Sequence, residues 1–256
     1  MRAFVAFFKK EVLEYARCGR LLVIVILFAL FGIMNPAVAK LTPMLMDLLS
    51  EEMGEIGMTV TEARVDALTS WAQFFKNIST ALIAFVLICG GAFVKEYRSG
   101  TLILMLTKGL ARYKVVLAKA LTMFSLWTLG YWLCFAITYG YNAYYWDNGI
   151  AVDLIPAVVF WWLFGVFAVA LIVLFSAVTS SYSGVMLGTG AAVLVSYMLE
   201  FLPKVAKYTP TYLMSSGGLI TGILKIDDFV SSVIIALSLT ASCLIAAVVV
   251  FNKKQL

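Results

Sequence analysis

Six apolar runs separated by polar clusters set the plan of this chain. They cover 21–39, 71–94, 115–141, 154–179, 184–202 and 229–251. Each is about 20 residues or more, enough at about 1.5 Å rise per residue to cross a hydrocarbon core about 30 Å thick. The pattern predicts an all-α polytopic membrane protein with six transmembrane helices, one transmembrane domain over 1–256.

The polar stretches have distinct patterns of their own. Residues 1–20 are not apolar enough to span. On a helix Phe4, Val5, Phe8, Val12 and Tyr15 share one face, with Arg2, Lys9, Lys10, Glu14 and Arg17 on the others; Phe7 and Leu13 break the pattern. A basic amphipathic helix of this kind lies in the membrane interface. It predicts an elbow helix in which Phe4, Phe8, Lys9 and Lys10 meet the lipid boundary and a cytosolic partner. Its basic start and Ala37-Val38-Ala39 resemble a signal peptide, but the long leading region with Glu11 and Glu14, and Pro36 close to the end of the run, argue against cleavage.

Residues 40–76 hold Asp47, Glu51, Glu52, Glu55, Glu62 and Asp66, and predict an external loop. Met44, Leu45, Leu48 and Leu49 space like a short amphipathic helix, with a break near Gly54 and Gly57 and a second start at Thr61 to Arg64. Trp71 fits the outer interface, and Tyr139, Tyr141, Tyr144, Tyr145 and Trp146 form a headgroup belt at the end of the third run. Tyr212 to Leu224 is too short and Gly-rich to span. It predicts a re-entrant or surface helix pair outside, before the sixth span.

Composition makes the membrane assignment firm. The chain is 63% hydrophobic and 13% charged, whereas soluble domains run nearer half and a quarter. The net charge of +5 sits at membrane edges, so it sets topology and gives no reason to invoke nucleic acid. The proposed inner segments hold thirteen of the nineteen basic residues but only Glu11, Glu14 and Glu96 of the fourteen acids. That bias predicts both termini in the cytosol of a plasma-membrane protein. There is no histidine and no G-x-x-x-x-G-K-[ST]. His-based catalysis and an intrinsic P-loop are therefore excluded. Cys18, Cys89, Cys134 and Cys243 form no C-x-x-C pair and read as small apolar residues.

The densest charge lies between the second and third runs, where Lys95, Glu96, Arg98, Lys108, Arg112, Lys114 and Lys119 fall within about two dozen residues. Gly100 permits a tight change of direction, and Thr101 can cap a following helix. Glu96 and Arg98 can hold that turn by pairing with the elbow helix or with each other.

Glu96-Tyr97-Arg98-Ser99-Gly100-Thr101-Leu102, followed by Leu106-Thr107, Arg112 and Lys119, resembles the E-x-x-x-G-T-L…L-T…R…K pattern of ABC-2 type transporter permeases. The resemblance covers the whole chain and implies a cytosolic coupling helix within 95–114. Glu96, Arg98, Gly100 and Thr101 would stand at its membrane entry, and Leu102 to Arg112, including Leu106, would dock on a separate cytosolic ATPase. It also implies a second permease copy, identical or paralogous, with ATP and Mg bound by the ATPase and no cofactor in this chain. Catalysis in this chain is then not expected.

The second and fifth spans of two copies would line the path, with Ser79, Thr80, Thr189 and Ser196 as mild polar points. So apolar a path suits hydrophobic or amphipathic cargo such as a peptide toxin, an antimicrobial peptide or a lipophilic drug. Sodium export, the rival within the family, would want a carboxylate at the membrane midplane. An intramembrane enzyme would want a catalytic constellation within the spans, and a channel would need no such charged hook.

Overall fold

The computed structural model describes residues 2–54, 66–100, 107 and 111–254, and among these there is no strand. Eight α-helices follow in order: α1 Arg2–Arg17, α2 Arg20–Gly54, α3 Ala67–Cys89, α4 Ala92–Ser99, α5 Arg112–Tyr145, α6 Leu154–Val178, α7 Tyr182–Glu200 and α8 Val230–Lys253. Among the described residues six stretches are long and apolar enough to cross a membrane: Arg20–Thr42, Ala67–Tyr97, Arg112–Tyr145, Leu154–Val178, Tyr182–Glu200 and Ile226–Lys253. The protein is an all-helical, multi-pass membrane protein.

Helix α6 is apolar all round and correspondingly central. In its most apolar window 67% of residues are buried, against 11% for α7. It packs against α5, α7, α8 and the Pro210–Leu219 segment. Between helices in lipid, close packing and hydrogen bonds replace the hydrophobic drive, and α5 and α6 use both. A Cβ on Gly165 would lie 2.0 Å from the Trp127 ring, so only glycine allows this approach. Trp127 Nε1 donates to the Trp162 carbonyl at 3.1 Å, and the Tyr131 hydroxyl donates to the Val158 carbonyl at 2.7 Å.

Three expectations change. First, α2 does not stop near residue 39; it runs as one helix to Gly54. Met44 to Leu49 therefore continue α2, while the Thr61 to Arg64 start lies outside the described residues. Pro36 inside this helix has no N–H for the Gly32 carbonyl. The Thr138 hydroxyl of α5 donates to that carbonyl at 3.0 Å and accepts from Asn35 Nδ2 at 3.2 Å. Asn77 of α3 donates to Asn35 Oδ1 at 2.9 Å. A polar cluster thus repairs the proline site and joins three helices.

Second, Trp71 is fully buried and does not face headgroups. It packs on Phe74, Phe135 and Tyr139, and its Nε1 donates to Asn148 Oδ1 at 3.1 Å. The tyrosines Tyr139, Tyr141, Tyr144 and Tyr145 are exposed, as a belt requires.

Third, the stretch before α8 holds 3-10 turns, Ala206–Tyr208, Pro210–Leu219 and Ile226–Phe229, in place of a helix pair. Pro210, Ser215, Ser216, Gly217 and Gly218 are poor α-formers. Hydroxyls bind the segment to the bundle: Ser216 donates to the Ala157 carbonyl at 2.9 Å and Thr211 to the Ser196 carbonyl at 3.1 Å.

Candidate functional site: a buried charge network at the mouth of the 95–111 segment

The α3–α4 span bends at Gly90 and Gly91, between the two helices. The bend leaves the Leu87 carbonyl to accept from the Tyr182 hydroxyl at 2.9 Å. Helix α4 then pairs with α1 and the start of α5. Helix α4 ends at Gly100, whose φ of 66° is left-handed and favours glycine.

Glu96 and Lys119 face each other here, 3% and 2% exposed. Lys119 Nζ stands 2.8 Å from Glu11 Oε2 and 3.0 Å from Glu96 Oε2. Lys10 bridges to Glu96, to Glu14 at 2.8 Å and to Glu11 at 3.0 Å. Lys95 adds a contact to Glu14 at 3.2 Å. Three carboxylates and three ammonium groups from α1, α4 and α5 thus compensate one another. The Phe93 ring lies beneath Lys119, 5.3 Å from Nζ.

Ligand atoms of Glu11, Glu14 and Glu96 lie within 4.8 Å of one another, a spacing that would suit a metal ion. The lysines already neutralise them, so this set has no net negative charge with which to hold a cation. Partial burial works to raise the Glu14 carboxyl, but hydrogen bonds and charge from Lys10, then Lys95, outweigh it and bring it down to about 2. Burial likewise works to lower Lys10, but its bonds to Glu14 and Glu96 hold the ammonium above the usual lysine range.

Helix α1 meets the bundle through Phe7, Glu11 and Tyr15, beside the apolar face that carries Val5 and Val12. Phe7, Glu11 and Tyr15 are buried and Phe4 and Phe8 pack partly, while Val5, Val12, Leu13 and Lys9 are exposed. Phe7, which breaks the apolar pattern, is a packing residue. Lys119 pairs with Glu11 of α1 and Glu96 of α4, which holds Glu11 on the inward face. The sequence reading let Glu96 pair with the elbow helix but gave Glu11 and Lys119 no part in that pairing. The signal was present: Lys119 lies inside an apolar run, where a charge is costly without a partner.

Arg112, expected at an ATPase groove, turns inward. Its guanidinium donates to the carbonyls of Phe251 at 3.3 Å, Asn252 at 3.1 Å and Lys254. Lys254 in turn donates to the Ala177 carbonyl at 3.0 Å and lies over the Tyr97 ring at 4.4 Å. Basic groups here cap the ends of α8 and α6. Thr101, Leu102 and Leu106 lie outside the described residues, and of Arg98 the backbone alone is described.

The expected path residues divide. Ser79 and Thr189 line one cavity between α3 and α7. Thr80 is exposed and is not among the lining residues. Ser196 donates to the Ala192 carbonyl of its own helix at 3.0 Å.

Among the described residues, six candidate spans and a buried charge network that joins α1, α4 and α5 make up the molecule. The chain belongs to the ABC-2 family of transporter proteins, whose family model matches residues 5–242. It is a transport permease. Among curated proteins the sequence has no significant match.

Proposed function

We propose that this permease pairs with a second permease copy and with a separate cytosolic ATPase, and that the 95–111 segment carries the ATPase's motion into the membrane. The observation that supports it is Glu96, buried at the entry to that segment and bonded to both Lys10 of α1 and Lys119 of α5. A push on the segment reaches the elbow helix and the third span together, because breaking a buried ion pair costs about 3–5 kcal/mol. ATP and Mg bind in the ATPase. The basic bias of the inner segments puts both termini in the cytosol of the plasma membrane. Val5, Val12 and Leu13, exposed on α1, face the lipid interface.

A second copy is accommodated along α7, whose Leu187, Leu194 and Met198 are exposed at helical spacing. Cargo passes between α3 and α7 of the two copies. That surface is apolar, which favours a hydrophobic or amphipathic molecule over a hydrated ion.

The test is co-purification in detergent with the ATPase encoded beside the chain. The intact chain should retain the ATPase, and Glu96→Ala with Arg98→Ala should weaken the complex. An intact chain that retains no ATPase in any lipid condition would remove the mechanical basis of the proposal.

A further inference from the structure

Between α3, α6, α7 and the Pro210–Leu219 segment lies a cavity of about 350 Å³. That is near the lower end of ligand pockets, which run about 300–1,000 Å³. Among the described residues, Ser79 and Thr189 are the only hydroxyl-bearing ones in its wall, and no ionisable residue lines it. Ser79 to Leu87 run along its α3 side, about 12 Å of helix, in the middle of the Ala67–Tyr97 span. The mouth opens sideways past Ile83 and Leu87, which are exposed. Gly190 forms part of the rim, and a Cβ there meets nothing within 4 Å.

The chemistry of the walls selects the occupant. A charged or hydrated group at this depth would lose its water without gaining a partner. A hydrocarbon chain loses nothing and gains close contacts along the whole wall. Met186 at the inner end and Met214 at the outer end are flexible and polarizable, so the two ends can adapt to chains of differing shape. A volume this small takes one chain and not two.

We infer that this cavity binds the single hydrocarbon chain of an amphipathic cargo molecule, whose polar part remains outside the Ile83–Leu87 mouth. The inference rests on the transporter reading of α3 and α7 and adds the class of molecule it handles. Diacyl lipid of the bilayer is the competing source of the same chemistry.

The test uses the purified permease alone in phosphatidylcholine nanodiscs, so its outcome does not depend on whether an ATPase binds. The probe is a short peptide bearing one palmitoyl chain with a photoactivatable diazirine at mid-chain. Labelling should saturate, map by mass spectrometry to the α3 and α7 residues of the cavity, and be displaced by the unlabelled acyl-peptide. Gly190→Phe and Leu87→Trp, which fill the space from opposite walls, should each lower it about tenfold, while Gly190→Ala should leave it near wild type. Variants that elute as monodisperse nanodiscs count as folded. Equal labelling of the same residues by a diazirine phosphatidylcholine would show that bilayer lipid fills the cavity and would overturn the inference. Labelling by the acyl-peptide that maps elsewhere, or that both filling variants leave unchanged, would overturn it too.

Discussion

Lys119 Nζ lies 2.8 Å from Glu11 Oε2, and the pair fastens the start of the third span to the N-terminal helix. Both side chains are almost fully buried. Removing one partner of such a pair leaves a buried charge uncompensated, at a cost of about 3–5 kcal/mol. Lys119→Met should therefore lower the thermal midpoint in detergent markedly. Glu11→Gln in the same chain should recover part of the loss, because fewer carboxylates then lack a partner. A double-mutant cycle that gave no coupling between the two positions would contradict this account.

The network also sets a pH window. The Glu14 carboxyl is lowered from 4.5 to about 2, so its contribution is present above pH 4.5 and is lost as pH falls from there toward 2. Lys10 is raised above 10.5, so its contribution is complete below pH 10.5 and is lost as pH rises through the higher folded value. The protection factors of the α1 amides, corrected for the intrinsic pH dependence of exchange, should be highest between those limits and should fall at pH 3. Unchanged protection of α1 at pH 3 would show that Phe7 and Tyr15 hold the helix without the charges.

The proline of α2 gives a test of a different kind. Thr138→Val removes the donor to the Gly32 carbonyl and an acceptor for Asn35, and an unpaired buried group costs about 1–3 kcal/mol. Pro36→Ala restores the helix's own N–H for Gly32. The double variant should be more stable than Thr138→Val alone, as read by a thermal shift in detergent. Equal stability of the two would mean that the carbonyl finds another donor.

Arg112→Ala should loosen the C-terminus. Three backbone carbonyls lose their cap, worth about 0.3–1 kcal/mol at an exposed helix end and up to about 2 in a partly buried one. Carboxypeptidase should then trim the chain faster past Lys254. If trimming were unchanged while ATPase retention fell, Arg112 would act on the partner and not on α8.

Much of the fold was legible in the sequence because a bilayer asks for so little: length, apolarity and charge at the ends. The helices were found near their places by that rule alone. What it missed depends on three-dimensional pairing. The apolar pattern of α1 gave an interfacial face with Val5 and Val12, but not the bundle contacts of Phe7 and Glu11, since periodicity records apolarity and not which acid has a lysine waiting for it. Asn35, Asn77 and Thr138 lie far apart in sequence and meet only because Pro36 frees a carbonyl that needs a donor. Glu96 stood out as a charge close to Gly100, and Lys10 as part of the basic side of α1. Arg112 was read as outward-facing because nothing in its neighbourhood revealed the carbonyls of residues 251–254.

The most direct measurement is ATP hydrolysis by the reconstituted permease–ATPase complex, with and without an amphipathic peptide, for the wild type and for Glu96→Gln. The account predicts that the peptide stimulates the wild-type complex. The variant should keep its basal hydrolysis and lose the stimulation, because Glu96 then holds Lys10 and Lys119 without a charge. Equal stimulation of the two complexes would contradict the claim that this network carries motion between the ATPase and the membrane.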